Sequence, residues 1–201
     1  MNYLAHAYLS FHQPPVLVGN LISDFVKGKK QFDYPAAIRQ GITLHRAIDQ
    51  FTDEHPATKA AATFFKPHYR LYSAAFVDVV YDHFLATHPD FFTPPDLLVF
   101  SREVYQSVDG YTDLLPPIFA RMFPYMKEQN WLYHYQERQG IANSFEGLVR
   151  RAVWLSESYT AFRLFEAHYP ALQALAGEFL PQVKQFARQW LDSNPPPAPA
   201  L

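Results

Sequence analysis

The run HYRLYSAAFVDVVYDHFLAT, residues 68–87, most narrows the folds open to this chain. Leu71, Ala74, Ala75, Phe76, Val77, Val79, Val80, Phe84 and Leu85 leave almost no polar face once the run is wound as a helix. A helix that is apolar nearly all round needs other elements on every side. The pattern therefore predicts a central, buried helix. Yet the same run carries Asp78, Asp82 and His83. A buried carboxylate is costly unless it is paired or bound to a metal. Asp78 and Asp82 stand one turn apart, where like charges repel. A cation between them removes that penalty. An arginine or a backbone cap for each acid would do the same.

A second stretch, GITLHRAIDQFTDEHP at residues 41–56, has a chemical stripe. His45, Asp49 and Asp53 recur every fourth residue, so on a helix they lie turn above turn. Imidazole and carboxylate at that spacing can converge on one metal ion. Ile42, Leu44, Ile48 and Phe51 supply a face for the core. The plainer reading is a solvated face with an Arg46/Asp49 ion pair.

Around these two helices the chain reads as helix throughout. Residues 2–12 form a short helix broken by Pro14-Pro15. Residues 16–26 form a second, ended by Gly28, and residues 36–54 a third. Beyond a proline-rich loop after His88, the periodicity predicts helices at 96–108, 116–128, 129–138, 142–166 and 171–191. Alternating strand patterns and internal repeats are missing. The expectation is an all-α, single-domain helical bundle over residues 1–192. The terminal SNPPPAPAL, residues 193–201, reads as a disordered proline-rich tail.

Composition removes several classes of function. With no cysteine, the chain has no disulfide framework, no zinc–cysteine site and no thiol nucleophile. A net charge of -2 gives no basic field for nucleic acid. MNYLAHAYLS lacks the basic start and long apolar run of a signal peptide, and no stretch approaches the roughly 20 apolar residues of a membrane span. A soluble cytoplasmic protein is expected.

Six of the nine histidines lie at or before His83, together with Asp24, Asp49, Asp53, Asp78 and Asp82. His6, Asp24, His45, Asp82 and His83 each sit in an apolar setting on a predicted helix. Each alone has a bland reading: a core histidine, or Asp24 paired with Lys27. Jointly they suggest a site of nitrogen and oxygen ligands without sulfur, suited to Mn²⁺, Fe²⁺, Zn²⁺ or Mg²⁺, with the carboxylates favouring harder ions. The chain has no GxSxG, P-loop or GxGxxG. A metal-activated water is the most economical nucleophile.

Four motifs carry a family resemblance: MNYLAHAYLS, GNLISDFVKG (19–28), GITLHRAIDQFTDEHP and DVVYDHFLA (78–86). With the later PPIFARMFPYMKEQNWLYHYQERQGI (116–141), they resemble the bacterial acyl carrier protein phosphodiesterases, in the same order and spacing. The resemblance implies an all-helical, HD-like, Mn²⁺-dependent enzyme. It implies removal of 4′-phosphopantetheine from holo-acyl carrier protein as the activity. By position it puts metal ligands on Asp24, His45, Asp82 and His83, with His6, Asp49 and Asp78 as further members of the site. The order Asp82-His83 reverses the doublet of ordinary HD domains.

On this reading His6, Asp24, His45, Asp82 and His83 hold a divalent metal, with Mn²⁺ favoured and Mg²⁺ or Fe²⁺ as other options. Asp49, one turn from His45, is the candidate general base, and Asp78 is the second candidate catalytic residue. Lys27, Lys29, Lys30 and Arg46 neutralise phosphate or dock an acidic carrier; the plainer reading of the lysines is a solvated loop. Neither nucleic acid nor membrane is an expected partner. Two other classes fit the same residues: an HD-like phosphohydrolase of nucleotides or other small phosphoesters, and a non-catalytic helical binding protein.

Overall fold

Proline stands in the first turn of five of the helices, where its fixed φ suits the start and its missing N–H costs nothing. The computed structural model describes residues 1–196, which form eleven α-helices and no strand. In chain order these are α1 (Tyr3–Tyr8), α2 (Pro14–Ile22), α3 (Ala36–Glu54), α4 (Pro56–Tyr69), α5 (Ser73–Thr87) and α6 (Pro94–Asp109). Then follow α7 (Pro117–Glu128), α8 (Trp131–His134), α9 (Arg138–Arg151), α10 (Tyr159–Ala167) and α11 (Tyr169–Ser193). The all-α bundle expected from the sequence is the fold observed.

Helix α5 is the buried centre. Phe76, Val77, Val79, Val80, Tyr81, Phe84 and Leu85 are all in the core. Helices α1, α4, α9 and α11 pack around it. Tyr81 stacks on Phe179 of α11, and Phe76 meets Phe65 of α4 and Phe145 of α9.

The expected boundaries differ from the observed ones in four places. The central helix starts at Ser73, not His68, because Arg70 takes a positive φ of 45° and breaks the chain direction. His68 closes α4, a helix the sequence reading left out. The imidazole of His55 caps it, accepting from the Ala57 N–H at 3.2 Å. The predicted helix 142–166 is two helices, α9 and α10, separated by a loop over residues 152–158. Ser193 still belongs to α11, and the Asn194 carbonyl accepts from Gln40 at 2.7 Å. Residues 197–201 of the expected tail lie outside the described residues.

Helices α2 and α3 cross with their backbones touching. A Cβ on Gly19 would lie 2.0 Å from the Ile38 carbonyl oxygen, and one on Gly41 2.1 Å from that of Val16. Only glycine fits at either position. This contact sets the position of the site.

Candidate metal centre

The close α2–α3 crossing puts the backbone of Asn20 beside His45 of α3. His45 Nδ1 lies 2.8 Å from the Asn20 carbonyl oxygen. A carbonyl only accepts, so Nδ1 carries a proton and donates. Nε2 is thereby aimed the other way, 3.1 Å from Asp49 Oδ2 and 3.3 Å from Asp24 Oδ1. A backbone carbonyl fixing one ring nitrogen while the other faces carboxylates is the usual outer support of a metal-ligating histidine. The Asn20 side chain also anchors α1, donating to the His6 carbonyl at 2.8 Å and to Ser10 Oγ at 3.1 Å.

Helix α1 brings in His6. Its ring lies 3.9 Å above that of His45, nearly parallel at 16°. His6 Nε2 is 3.2 Å from Asp49 Oδ1, yet both ring nitrogens are buried without a hydrogen-bond partner among the described residues. An orphaned buried imidazole is expensive. A cation accepting its lone pair would relieve that cost. Ligand atoms of His6, His45 and Asp49 all lie within 4.8 Å of one another, so this trio forms a possible metal-binding group. Two imidazole nitrogens and a carboxylate match the chemistry of Mn²⁺, Fe²⁺ or Zn²⁺.

The electrostatics separate the two rings. Burial lowers the His6 pKa to about 4, and the facing His45 charge adds to it. Burial acts the same way on His45, but the hydrogen bonds it donates to Asp24 and Asp49 outweigh it and lift the pKa to about 9. Burial also disfavours the Asp49 charge, yet the Met1 ammonium and both imidazoles hold the group ionised. The His45 hydrogen bond lowers Asp24 as well.

The two acids of α5 are resolved separately. The α-ammonium of Met1 lies 3.0 Å from Asp78 Oδ1 and 3.3 Å from Asp49 Oδ1, so Asp78 joins the edge of the cluster through a cation. Asp82 is fully buried and accepts the backbone N–H groups of Leu4 at 2.7 Å and Ala5 at 3.1 Å. It caps α1 from another helix and thereby positions His6. Both its oxygens face backbone donors, so Asp82, expected as a ligand, lies outside the group of His6, His45 and Asp49. His83, also expected as a ligand, lies outside that group as well. One residue further round α5, it points away from the trio. Its Nδ1 donates to the Tyr135 carbonyl at 2.7 Å, and Nε2 takes the Tyr169 hydroxyl at 2.9 Å. Both nitrogens are used in the core. Asp53 is exposed beyond the trio.

Burial pushes the His83 pKa down to about 4. A depressed folded-state pKa contributes stability above the unfolded value near 6.5, and that stability is lost as pH falls toward the folded value. The metal-free protein should therefore lose about 1–2 kcal/mol between pH 7 and pH 5 through this residue alone. In urea titrations at both pH values, His83→Asn should show a smaller pH loss than the wild type. Equal losses would count against the assignment.

The basic residues are split. Lys27, Lys29 and Lys30 are exposed around the 3₁₀ turn Gly28–Asp33. Arg46 does not pair with Asp49. It donates to the Val26 carbonyl at 3.1 Å and to Gln31 Oε1 at 2.9 Å, tying the lysine turn to α3. Sequence reasoning missed Asn20. The available signal was one amide in the apolar run VLVGNLI, beside Gly19.

Fold and site together define a class: an all-α protein with a buried imidazole–carboxylate centre near the N-terminal end of its sequence. The chain belongs to the acyl carrier protein phosphodiesterase family, whose model matches residues 1–183. It is 35% identical over 192 residues to the acyl carrier protein phosphodiesterase of Yersinia pestis, covering 94% of this chain and 98% of the relative. It is 33% identical over 189 residues to that of Serratia proteamaculans, with 94% and 98% covered. For the Klebsiella pneumoniae protein of the same name the identity is 35% over 188 residues, with 93% and 97% covered. No solved structure matches the chain. No helix among the described residues is long and apolar enough to cross a membrane.

Proposed function

We propose that this protein hydrolyses the phosphodiester joining 4′-phosphopantetheine to the serine of holo-acyl carrier protein, with a divalent metal at His6, His45 and Asp49. The observation that carries the reading is the convergence of those three side chains, with an orphaned imidazole among them, in a chain of this family. A divalent ion there supplies Lewis-acid polarisation of the phosphate and a lowered pKa for water. Mn²⁺ is the favoured ion, and the cytoplasm the expected place of action.

The sequence points to Asp49 as general base. In the structure its Oδ1 faces His6 and the Met1 ammonium, and its Oδ2 faces His45. Asp49 is thus a donor and organiser. Asp24 is ionised and exposed at the edge of the cluster, and is better placed to take the proton of the attacking water. The water oxygen bonds to phosphorus as the bond from phosphorus to the serine oxygen breaks. The serine oxygen leaves and is protonated, giving apo-carrier and free 4′-phosphopantetheine. Asp78 holds the ammonium beside Asp49. Asp82 keeps His6 in reach through α1.

Incubation with Mn²⁺ and holo-carrier tests this, with the carrier weighed by mass spectrometry. The expected product is the carrier lighter by one phosphopantetheine, and chelation by EDTA should stop its formation. Turnover of nucleotides with the carrier left intact would defeat the proposal.

The exposed lysine turn is proposed as one docking face for the carrier. Surface charges of this kind chiefly raise association rates and are screened by salt. Lys29→Glu with Lys30→Glu should raise KM for holo-carrier about three- to tenfold at low salt. The kcat should stay near wild type. An unchanged KM would place docking elsewhere.

A further inference from the structure

Loop 152–158, between α9 and α10, has no part in the site described above. It holds Val153 and Trp154 out to solvent at 79% and 84% exposure. Across from it, the turn Arg70–Tyr72 presents Leu71 at 97% exposure. The positive φ of Arg70 is an unfavourable conformation for a residue with a side chain, and it is the bend that turns Leu71 outward. The two segments are fixed to one another. Tyr69 Oη donates to Glu157 Oε1 at 3.1 Å and accepts from the Ala161 N–H at 2.8 Å. Between them lies a cavity of about 190 Å³ walled by Tyr72, Phe76, Leu148, Arg151 and Leu155.

Arginines outnumber acids on this shelf. Arg70, Arg151 and Arg163 are exposed and have no carboxylate partner among the described residues. Of the nearby acids, Glu146 pairs with Arg150, while Glu157 keeps its charge and accepts from Tyr69 and the Thr160 N–H. The shelf also reaches toward the metal centre. Ala75 and Phe76 of the cavity wall stand within one turn of Asp78 on α5, and Asp78 meets the Met1 ammonium beside Asp49. An exposed tryptophan and leucine with unpaired arginines complement a protein surface that carries carboxylates among apolar side chains.

We infer that Trp154, Val153, Leu71 and Arg151 form a docking shelf for the acidic protein face around the modified serine of the substrate. This rests on the proposed carrier-protein activity. The partner inserts apolar side chains against Trp154 and Leu71 and sets carboxylates on Arg151. Its phosphodiester then lies toward the metal centre.

The test uses Trp154→Ser and Arg151→Glu, both at positions outside the metal centre. Binding of fluorescently labelled holo-carrier is measured by anisotropy, apart from turnover. The inference predicts at least about a tenfold weaker Kd and a raised KM for either variant. The kcat, the Mn²⁺ affinity and hydrolysis of bis-p-nitrophenyl phosphate should match the wild type. Carrier affinity within about twofold of the wild type in both variants would overturn the shelf. If the wild type binds the carrier through these residues but never releases phosphopantetheine, the activity is wrong and the shelf stands.

Discussion

His45→Ala is expected to lower kcat/KM by about a thousandfold or more, because it removes a ligand and the ion's stabilisation of the transition state is worth several kcal/mol. Bound metal, counted by mass spectrometry of the purified protein, should fall in step. The variant should stay folded, although it frees the Asn20 carbonyl and leaves Asp24 and Asp49 to repel each other. Loss of one buried hydrogen-bond donor costs about 1–3 kcal/mol. His83→Asn is the contrast, since the ring nitrogens of His83 bond Tyr135 and Tyr169 and its ring packs against Phe84 and Phe165. It should keep its full metal content. A His45→Ala protein with wild-type turnover and metal would dismiss the trio as the centre.

Gly41→Ala is expected to give the largest loss of stability from the smallest change. The added methyl would meet the Val16 carbonyl oxygen at 2.1 Å, and backbone cannot rotate away as a side chain can. The helices would have to separate along their tightest contact. Overpacking of this severity should cost about 3 kcal/mol or more, and for a chain of this length lower Tm by roughly 6–12 °C. Separation would also pull Asn20 from His45, so metal affinity should drop. Gly177→Ala, on α11, is the matched control. Nothing lies within 4 Å of a Cβ there, so the change should be neutral or stabilising. A Gly41→Ala protein melting with the wild type would show that the crossing tolerates strain.

Much of this was readable before any coordinates. His45 and Asp49 are one turn apart on an amphipathic helix, and that spacing alone brought them to one side of α3. The apolar belt of residues 74–85 likewise forced α5 to the centre. The limits were those of one-dimensional periodicity. Asp82 and His83 are neighbours in sequence but about 100° apart around a helix, so they face different surroundings. Periodicity gave both an apolar context and could not say which partner each would meet. The alternative of a backbone cap, raised for the acids, proved to describe Asp82. Helix α4 was hidden by Pro56 and Pro67, which look like breaks although one opens the helix and the other is tolerated near its end. The Asn20 carbonyl carries no side-chain signature at all.

The cap that Asp82 places on α1 gives the molecule a built-in reporter. The amide protons of Leu4 and Ala5 are held by a carboxylate on α5, and these amides cannot exchange with solvent while α1 stays docked. Helix α1 spans only six residues, so its detachment is a small opening that need not unfold the bundle. That same opening would carry His6 off the trio. Deuterium uptake at two backbone positions thus follows the fraction of time the ligand set is complete. A ligand that binds only the complete set slows such an opening by the factor 1 + [L]/Kd. Titrating metal while timing exchange at Leu4 and Ala5 would therefore return a binding constant without any substrate.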